Sequence, residues 1–322
     1  MTAPARHYLD FERPIADLES KIEELSKLSQ SANGSALDGE LEALRTRAAA
    51  LRIELYGKLD PWRKTQVARH PERPHFSHYV EGLIEDFVEL MGYRKAGDDQ
   101  AVIGGLGRFR GAGVVVLGHE KGSDTQGRLR HNFGMARPEG YRKAVRLMDM
   151  AEQFGLAVIS LVDTAGAYPG LGAEERGQAE AIARSTERGL TLGVPFVTVV
   201  TGEGGSGGAI ALASANTVLI LEHSIYSVIS PEGAASILFR DGARAKEAAA
   251  AMKITAEDLL ALRIVDGIVP EPLGGAHSDP ETAIASVGDA IERSLQGLLE
   301  LSPAALRAQR AERFYAIGRA VA

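Results

Sequence analysis

The chain contains no cysteine in its 322 residues. That excludes a disulfide framework, a thiol nucleophile and a cysteine zinc site. It also lacks any apolar run of membrane-spanning length and any signal-peptide pattern, so a cytoplasmic location is expected. Excess positive charge is missing as well. With 36 Lys and Arg against 43 Asp and Glu, the net charge is −7 and the isoelectric point near 5.7. Binding to nucleic acid is not expected from that balance, although local basic clusters survive within it. The remaining composition, 45% hydrophobic and 25% charged, is that of an ordinary globular protein long enough for one large domain or two. Glycine is the exception. There are 36 in 322 residues, about 11% against a usual ~7%, gathered in loops rather than repeats.

The densest gathering is Thr201-Gly-Glu-Gly-Gly-Ser-Gly-Gly-Ala209. It lies between the β-branched run Val194–Val200 and a small-residue helical pattern over 209–215, so bare backbone meets a strand-to-helix junction. The first N–H groups of such a helix have no intrahelical acceptor and point into the crevice. Three chemistries fit the string. Gly202-x-Gly204-x-x-Gly207, with Glu222 after the next apolar run, reads as a dinucleotide fingerprint. Gly204-x-Ser206-x-Gly208, with Asp266 and His277 following, reads as a nucleophile elbow. The amides of Gly207, Gly208 and Ala209 read as an oxyanion hole. The loop alone is equally a tight turn for close helix–strand packing.

A second backbone-rich junction, Asp163-Thr-Ala-Gly-Ala-Tyr-Pro-Gly170, follows the run Ala157–Val162, and a third, Ser230-Pro-Glu-Gly233, follows Tyr226–Ile229. Repetition at these intervals disfavours a Rossmann half. It favours a parallel arrangement with ligands at the carboxyl ends of the strands. Asp163 is read as accepting N–H bonds in its own turn. The cations from Lys121 through Arg128, Arg130, Arg137, Arg142, Lys143 and Arg146 recur beside turn residues, where they suit a phosphorylated or carboxylated ligand, although a solvated face is the default. Ahead of all this, two narrow apolar stripes (Ile15, Leu18, Ile22, Leu25, Leu28, then Leu41, Leu44, Ala48, Leu51, Leu55) predict a helical hairpin whose polar linker is 29–40. Two such helices bury little, so something else must cover them. Arg69-His-Pro-Glu-Arg-Pro-His75 reads as a boundary turn, and after Pro280 the pattern is helical to the end.

Several longer strings carry a resemblance. Asn132-Phe-Gly-Met135 with Pro138-Glu-Gly-Tyr-Arg-Lys-Ala144, Gly170-x-Gly-Ala-Glu-Glu-Arg-Gly-Gln178, Gly202–Gly208 and Ser230–Gly233 occur in order. In these the chain resembles the alpha-subunit family of bacterial acetyl-coenzyme A carboxylase carboxyltransferases, from Leu9 to His277. Ala165 stands where that family usually has proline, and Ala234 where cysteine is common. The resemblance implies an α/β, crotonase-like (ClpP/crotonase) spiral of ββα units with an N-terminal helical hairpin and C-terminal helices. It implies a partner-docking hairpin over 1–75, a carboxyltransferase core over 76–285 and a helical segment over 286–322.

The activity it implies moves a carboxyl group from carboxybiotin, borne on the biotin carboxyl carrier protein, to acetyl-CoA, giving malonyl-CoA for fatty acid synthesis. The implied partners are a zinc-ribbon beta subunit in an α2β2 complex and biotin carboxylase, with no metal on this chain. By family position, the Gly207 and Gly208 amides hold the biotin oxygen, Gly204 and Gly205 let the loop approach the ring, and Ala165 and Gly166 contact substrate. A serine hydrolase using Ser206 and a non-catalytic scaffold are the competing expectations.

Overall fold

Continuous β-branched runs bounded by turn residues become strands buried on both faces. A computed structural model describes residues 7–31, 37–95 and 97–319. In it the apolar runs Val114–Leu117, Ala157–Val162, Val194–Val200 and Val218–Leu221 form the middle of one mixed sheet. The strands are β1 (Glu85–Glu89), β2 (Val102–Phe109), β3 (Ala112–His119), β4 (Ala157–Thr164), β5 (Phe196–Gly205), β6 (Thr217–Leu221), β7 (Ile225–Ser227) and β8 (Gly267–Val269). Their order is β1-β2-β3-β4-β5-β6-β8, with β7 pairing β5 beyond the end of β6. β1, β2 and β3 form an antiparallel meander, and every later pairing is parallel. Arg110 and Gly111, both at positive φ, close the β2–β3 hairpin, the backbone a two-residue hairpin turn requires.

Helices cover both faces. Pro138–Phe154, Gln178–Thr191 and Ser206–Ala213 pack on one side around Tyr141, Leu147, Met148 and Leu212. Phe76–Leu83 and Pro280–Leu299 pack on the other around Phe76, Tyr79, Val287 and Ile291. The site lies at the carboxyl edge of the sheet, where the parallel strands end between these layers. No helix among the described residues is long and apolar enough to cross a membrane.

The N-terminal hairpin consists of Arg13–Ser31 and Asp38–Tyr56, packed on each other. The first helix runs three residues into the expected linker, and 32–36 lie outside the described residues. Ile15, Leu41, Ala48 and Tyr56 are buried, whereas Leu28 and Ile53 are more than half exposed. The stripes are thus only partly covered within this chain. The expected C-terminal helices are two, Pro280–Leu299 and Pro303–Ala316, divided where Ser302 caps a new helix whose first residue is proline. The expected boundary at 285/286 falls inside the first of them, between buried Ala283 and Val287.

Candidate active site

The glycine-rich run does not begin as a loop. β5 continues through Gly205, and the helix starts at Ser206 rather than near 209. The ladder between β4 and β5 slips here: Val162 faces Val200, but Thr164 faces Gly204. Three β5 residues, Thr201, Gly202 and Glu203, therefore oppose Asp163 alone, a bulge of the kind that re-aims a strand end. Asp163 Oδ1 accepts the Glu203 N–H at 2.8 Å. Arg73 donates to the Thr201 carbonyl at 2.8 Å, and Arg69 grips the Glu203 carboxylate at 2.7 Å. The segment read as a boundary turn thus supplies two of the three groups fixing the bulge, a role no local spacing signals.

Asp163 differs from expectation in the same way. Its carboxylate bridges to the neighbouring strand instead of capping its own turn, and it pairs with Lys121 at 2.6 Å. Burial alone would push its carboxyl group up. The Lys121 ammonium, His75 and the Glu203 N–H outweigh that and hold it below the ordinary range.

After β4 the chain turns sharply. Thr164 Oγ1 accepts the Gly166 N–H at 3.1 Å and donates to the Gly166 carbonyl at 2.8 Å. Gly166 sits at φ 147°, a region that favours glycine. Its amide is therefore engaged within the turn, and the next one, of Ala167, is the one left open. A Cβ on Gly208 would lie 2.8 Å from the Gly166 carbonyl carbon and 3.0 Å from the Ala167 nitrogen, so the two backbones meet there. The helix Ser206–Ala213 has no capping side chain. Gly207 and Gly208 fall in its first turn, where N–H groups have no i−4 partner within the helix, and among the described residues no acceptor takes the N–H of Ala167. Ser206 leads into this turn at φ 47°, a conformation that costs a non-glycine residue energy and recurs at functional turns.

Gly204 and Gly205 serve another purpose than expected. A Cβ on Gly204 would meet the Tyr226 ring at 2.9 Å, and one on Gly205 would meet the Ala165 carbonyl at 2.2 Å. Both positions are filled by the protein itself. Ala165, expected to touch substrate, has its carbonyl against Gly205 and also lines a neighbouring cleft.

The hydrolase constellation does not assemble. Asp266 accepts from the Val218 N–H at 2.7 Å and from Arg313 at 2.6 Å, while His277 stacks on the His70 ring at 3.7 Å. Neither stands beside Ser206. Glu222 accepts the Glu271 N–H and so holds a loop, with no ribose role. One group of metal-ligand types occurs among the described residues, Glu12, His70 and His277. His70 is already committed there. Its Nδ1 accepts the Glu72 N–H and its Nε2 faces the His7 carbonyl, each at 3.2 Å. Burial lowers its pKa to about 4.

Residues 8–318 match the family described as acetyl co-enzyme A carboxylase carboxyltransferase-like. The chain is 74% identical over 315 residues to the acetyl-coenzyme A carboxylase carboxyl transferase subunit alpha of Caulobacter sp. (strain K31), covering 98% of each. It is 68% identical to the protein of the same name from Phenylobacterium zucineum, again covering 98% of each. Among solved structures it resembles transcarboxylase 12S with methylmalonyl-coenzyme A and methylmalonic acid bound (TM-score 0.59, 19% identity, 73% of this chain and 44% of that one). It also resembles a chain of a Pseudomonas malonate decarboxylase hetero-tetramer in complex with coenzyme A (TM-score 0.56, 17% identity, 69% and 89%). At these identities the structures show a shared fold, and it is the crotonase-like one the sequence led us to expect.

Proposed function

Because the chain belongs to the acetyl co-enzyme A carboxylase carboxyltransferase-like family, we propose that it is the alpha subunit of the carboxyltransferase component of acetyl-CoA carboxylase. It moves a carboxyl group from carboxybiotin on a biotin carboxyl carrier protein to acetyl-CoA, yielding malonyl-CoA. One observation carries the assignment of roles: the first-turn N–H groups of Gly207 and Gly208, which lack an i−4 partner in an uncapped helix, lie where that helix meets the turn bearing the open Ala167 N–H. Open, preorganised amides suit an oxygen on which negative charge develops, and such a donor is typically worth ~3–4 kcal/mol of barrier.

Carboxybiotin, when bound, supplies the carboxyl group and, once that group has left, a basic nitrogen for the acetyl proton. The chain's own residues then need only bind, orient and stabilise charge. Gly207 and Gly208, joined by Ala167, donate to the ureido oxygen. Asp163 stays ionised and committed to Lys121 and the bulge, holding the two turns in register without exchanging a proton. This reading accounts for a site rich in amides and poor in general bases.

The transfer develops a second anion, on the thioester oxygen, and the amide hole assigned here serves the ureido oxygen. We assign the second hole and most CoA contacts to a zinc-ribbon beta subunit in an α2β2 assembly, with biotin carboxylase acting upstream and the cytoplasm as the place of action. The test is reconstitution of carboxyl transfer between malonyl-CoA and biocytin. Activity is expected from the co-purified pair and none from this chain alone. Turnover proportional to the concentration of the isolated chain would overturn the shared site, and an inactive pair would overturn the function.

A further inference from the structure

Beside the amide site lies a cleft of about 230 Å³ that the scheme above leaves unused. It opens between the segment 68–75 and the ends of β4 and β5. Ala165 forms part of its wall, so the turn that meets Gly208 at one end borders this cleft at the other.

Its hydrogen-bonding inventory is unbalanced. Lys121 commits an N–H to Asp163 and has two others. Arg128 is half-buried, and its guanidinium makes no hydrogen bond or ion pair among the described residues. His75 is 4% exposed, and neither ring nitrogen has a hydrogen-bond partner. The nearest acid, Asp163 Oδ2, is 4.0 Å away. On the acceptor side, Asp163 Oδ1 already serves Lys121 and the Glu203 N–H. Glu203 Oε1 serves Arg69 twice. Buried donors without acceptors are costly, so the cleft is suited to a ligand that brings negatively charged oxygens.

Phe133 also lines the cleft, and the residue is 48% exposed. Asn132, Phe133 and Gly134 are consecutive positive-φ residues (47°, 55° and 76°), and such strain persists only where the surroundings enforce it. Here Asn132 donates to Asp99 at 3.2 Å, and His131 contacts the Gln100 carbonyl at 2.6 Å. The effect is to hold Phe133 in the lining of the cleft that Lys121 and Arg128 also line.

We infer that this cleft is a carboxylate-binding subsite in which Arg128 and Lys121 take the two oxygens of a small planar carboxylate. The choice of occupant rests on the carboxyltransfer reading, whose product carries a free carboxylate that its acyl acceptor lacks. Malonate is titrated calorimetrically into the full-length chain at low ionic strength, with inorganic phosphate in a parallel arm. Saturable malonate binding is expected, weakened about tenfold by Arg128→Ala and abolished by Arg128→Glu. No saturable binding, tighter binding of phosphate than of malonate, or an unchanged affinity in Arg128→Ala would each overturn the assignment.

Because the Arg128 side chain holds no partner, Arg128→Ala should melt like the wild type. In the assembled enzyme it should raise KM for malonyl-CoA about tenfold while leaving KM for acetyl-CoA unchanged. Equal effects on both would also overturn the assignment. Calorimetry does not depend on transfer, so failure of the function and failure of the subsite are separable.

Discussion

Asp163 occupies the space that a side chain at position 202 would need: a Cβ on Gly202 would lie 2.4 Å from its Oδ1 and 2.6 Å from its carboxyl carbon. The carboxylate can reach the Glu203 N–H and Lys121 only because residue 202 is glycine. Gly202→Ala should therefore displace Asp163, break its bond to the bulge and leave a buried carboxylate badly paired. The expected cost is ~2–4 kcal/mol of unfolding free energy in urea, with transfer activity falling alongside. A variant as stable as the wild type would mean that the bulge does not depend on this contact.

The two amide glycines should respond differently to a methyl group. A Cβ on Gly207 would make only ordinary contact with Ile182, at 3.4 Å and beyond, whereas one on Gly208 would press on Gly166 and Ala167. Gly207→Ala should fold and assemble normally and retain most turnover. Gly208→Val should push the two turns apart and lower kcat by roughly 10²-fold or more at unchanged assembly. Ser206→Ala should retain much of the activity, since no base stands beside that hydroxyl. Covalent capture of Ser206 by an acyl-enzyme probe, with activity lost in the alanine variant, would restore the hydrolase reading.

Much of this site was legible in the sequence, for definite reasons. Continuous apolar runs mark strands buried on both faces, which fixed β4 and β5, and the glycine density marked where they end. The helix start at Ser206 is hidden in the sequence because Gly202, Gly204 and Gly205 look like loop residues. They are strand residues whose missing side chains make room for Asp163, Tyr226 and the Ala165 carbonyl. The open Ala167 amide was invisible because it depends on Thr164 Oγ1 occupying its neighbour. Arg69 and Arg73 stand in a segment with the local pattern of a turn, while their partners lie 128 to 198 positions away. Such pairings leave no local pattern.

Stability should fall in two stages on acidification. Burial pushes the pKa of the His119 imidazole down to about 3, so this group stays neutral when folded and takes up a proton when unfolded. Its contribution is present above its unfolded value near 6.5 and is lost as the pH falls from there toward 3. Burial would raise Glu271, but Arg73 and then His223 hold it down to about 2 from an ordinary 4.5. Its contribution is present above 4.5 and lost toward 2. Urea titrations across this range should show unfolding free energy declining below pH ~6.5 and more steeply below ~4.5. Glu271→Gln, compared with the wild type, should flatten the lower stage alone. A parallel decline in the two proteins would remove Glu271 as its source.

Arg73 and Glu271 offer the most direct test of how the N-terminal segment supports the site. Their side chains are 1% and 0% exposed and pair at 2.8 Å. Arg73 also donates to the Thr201 carbonyl, and Glu271 also accepts the His223 and Ala276 N–H groups. Removing one partner strands a buried charge, which typically costs ~3–5 kcal/mol, whereas replacing both by apolar groups is often far milder. Arg73→Met should thus be the more damaging change, and Arg73→Met with Glu271→Leu should recover part of the loss. Recovery should be incomplete, because the Thr201 carbonyl and two N–H groups are left without partners. The double variant should also turn over more slowly than the wild type, since the bulge beside the amide hole has lost one of its three ties. A double-mutant cycle by urea unfolding gives the coupling, and a coupling energy below ~1 kcal/mol would show that the pair does not anchor the bulge.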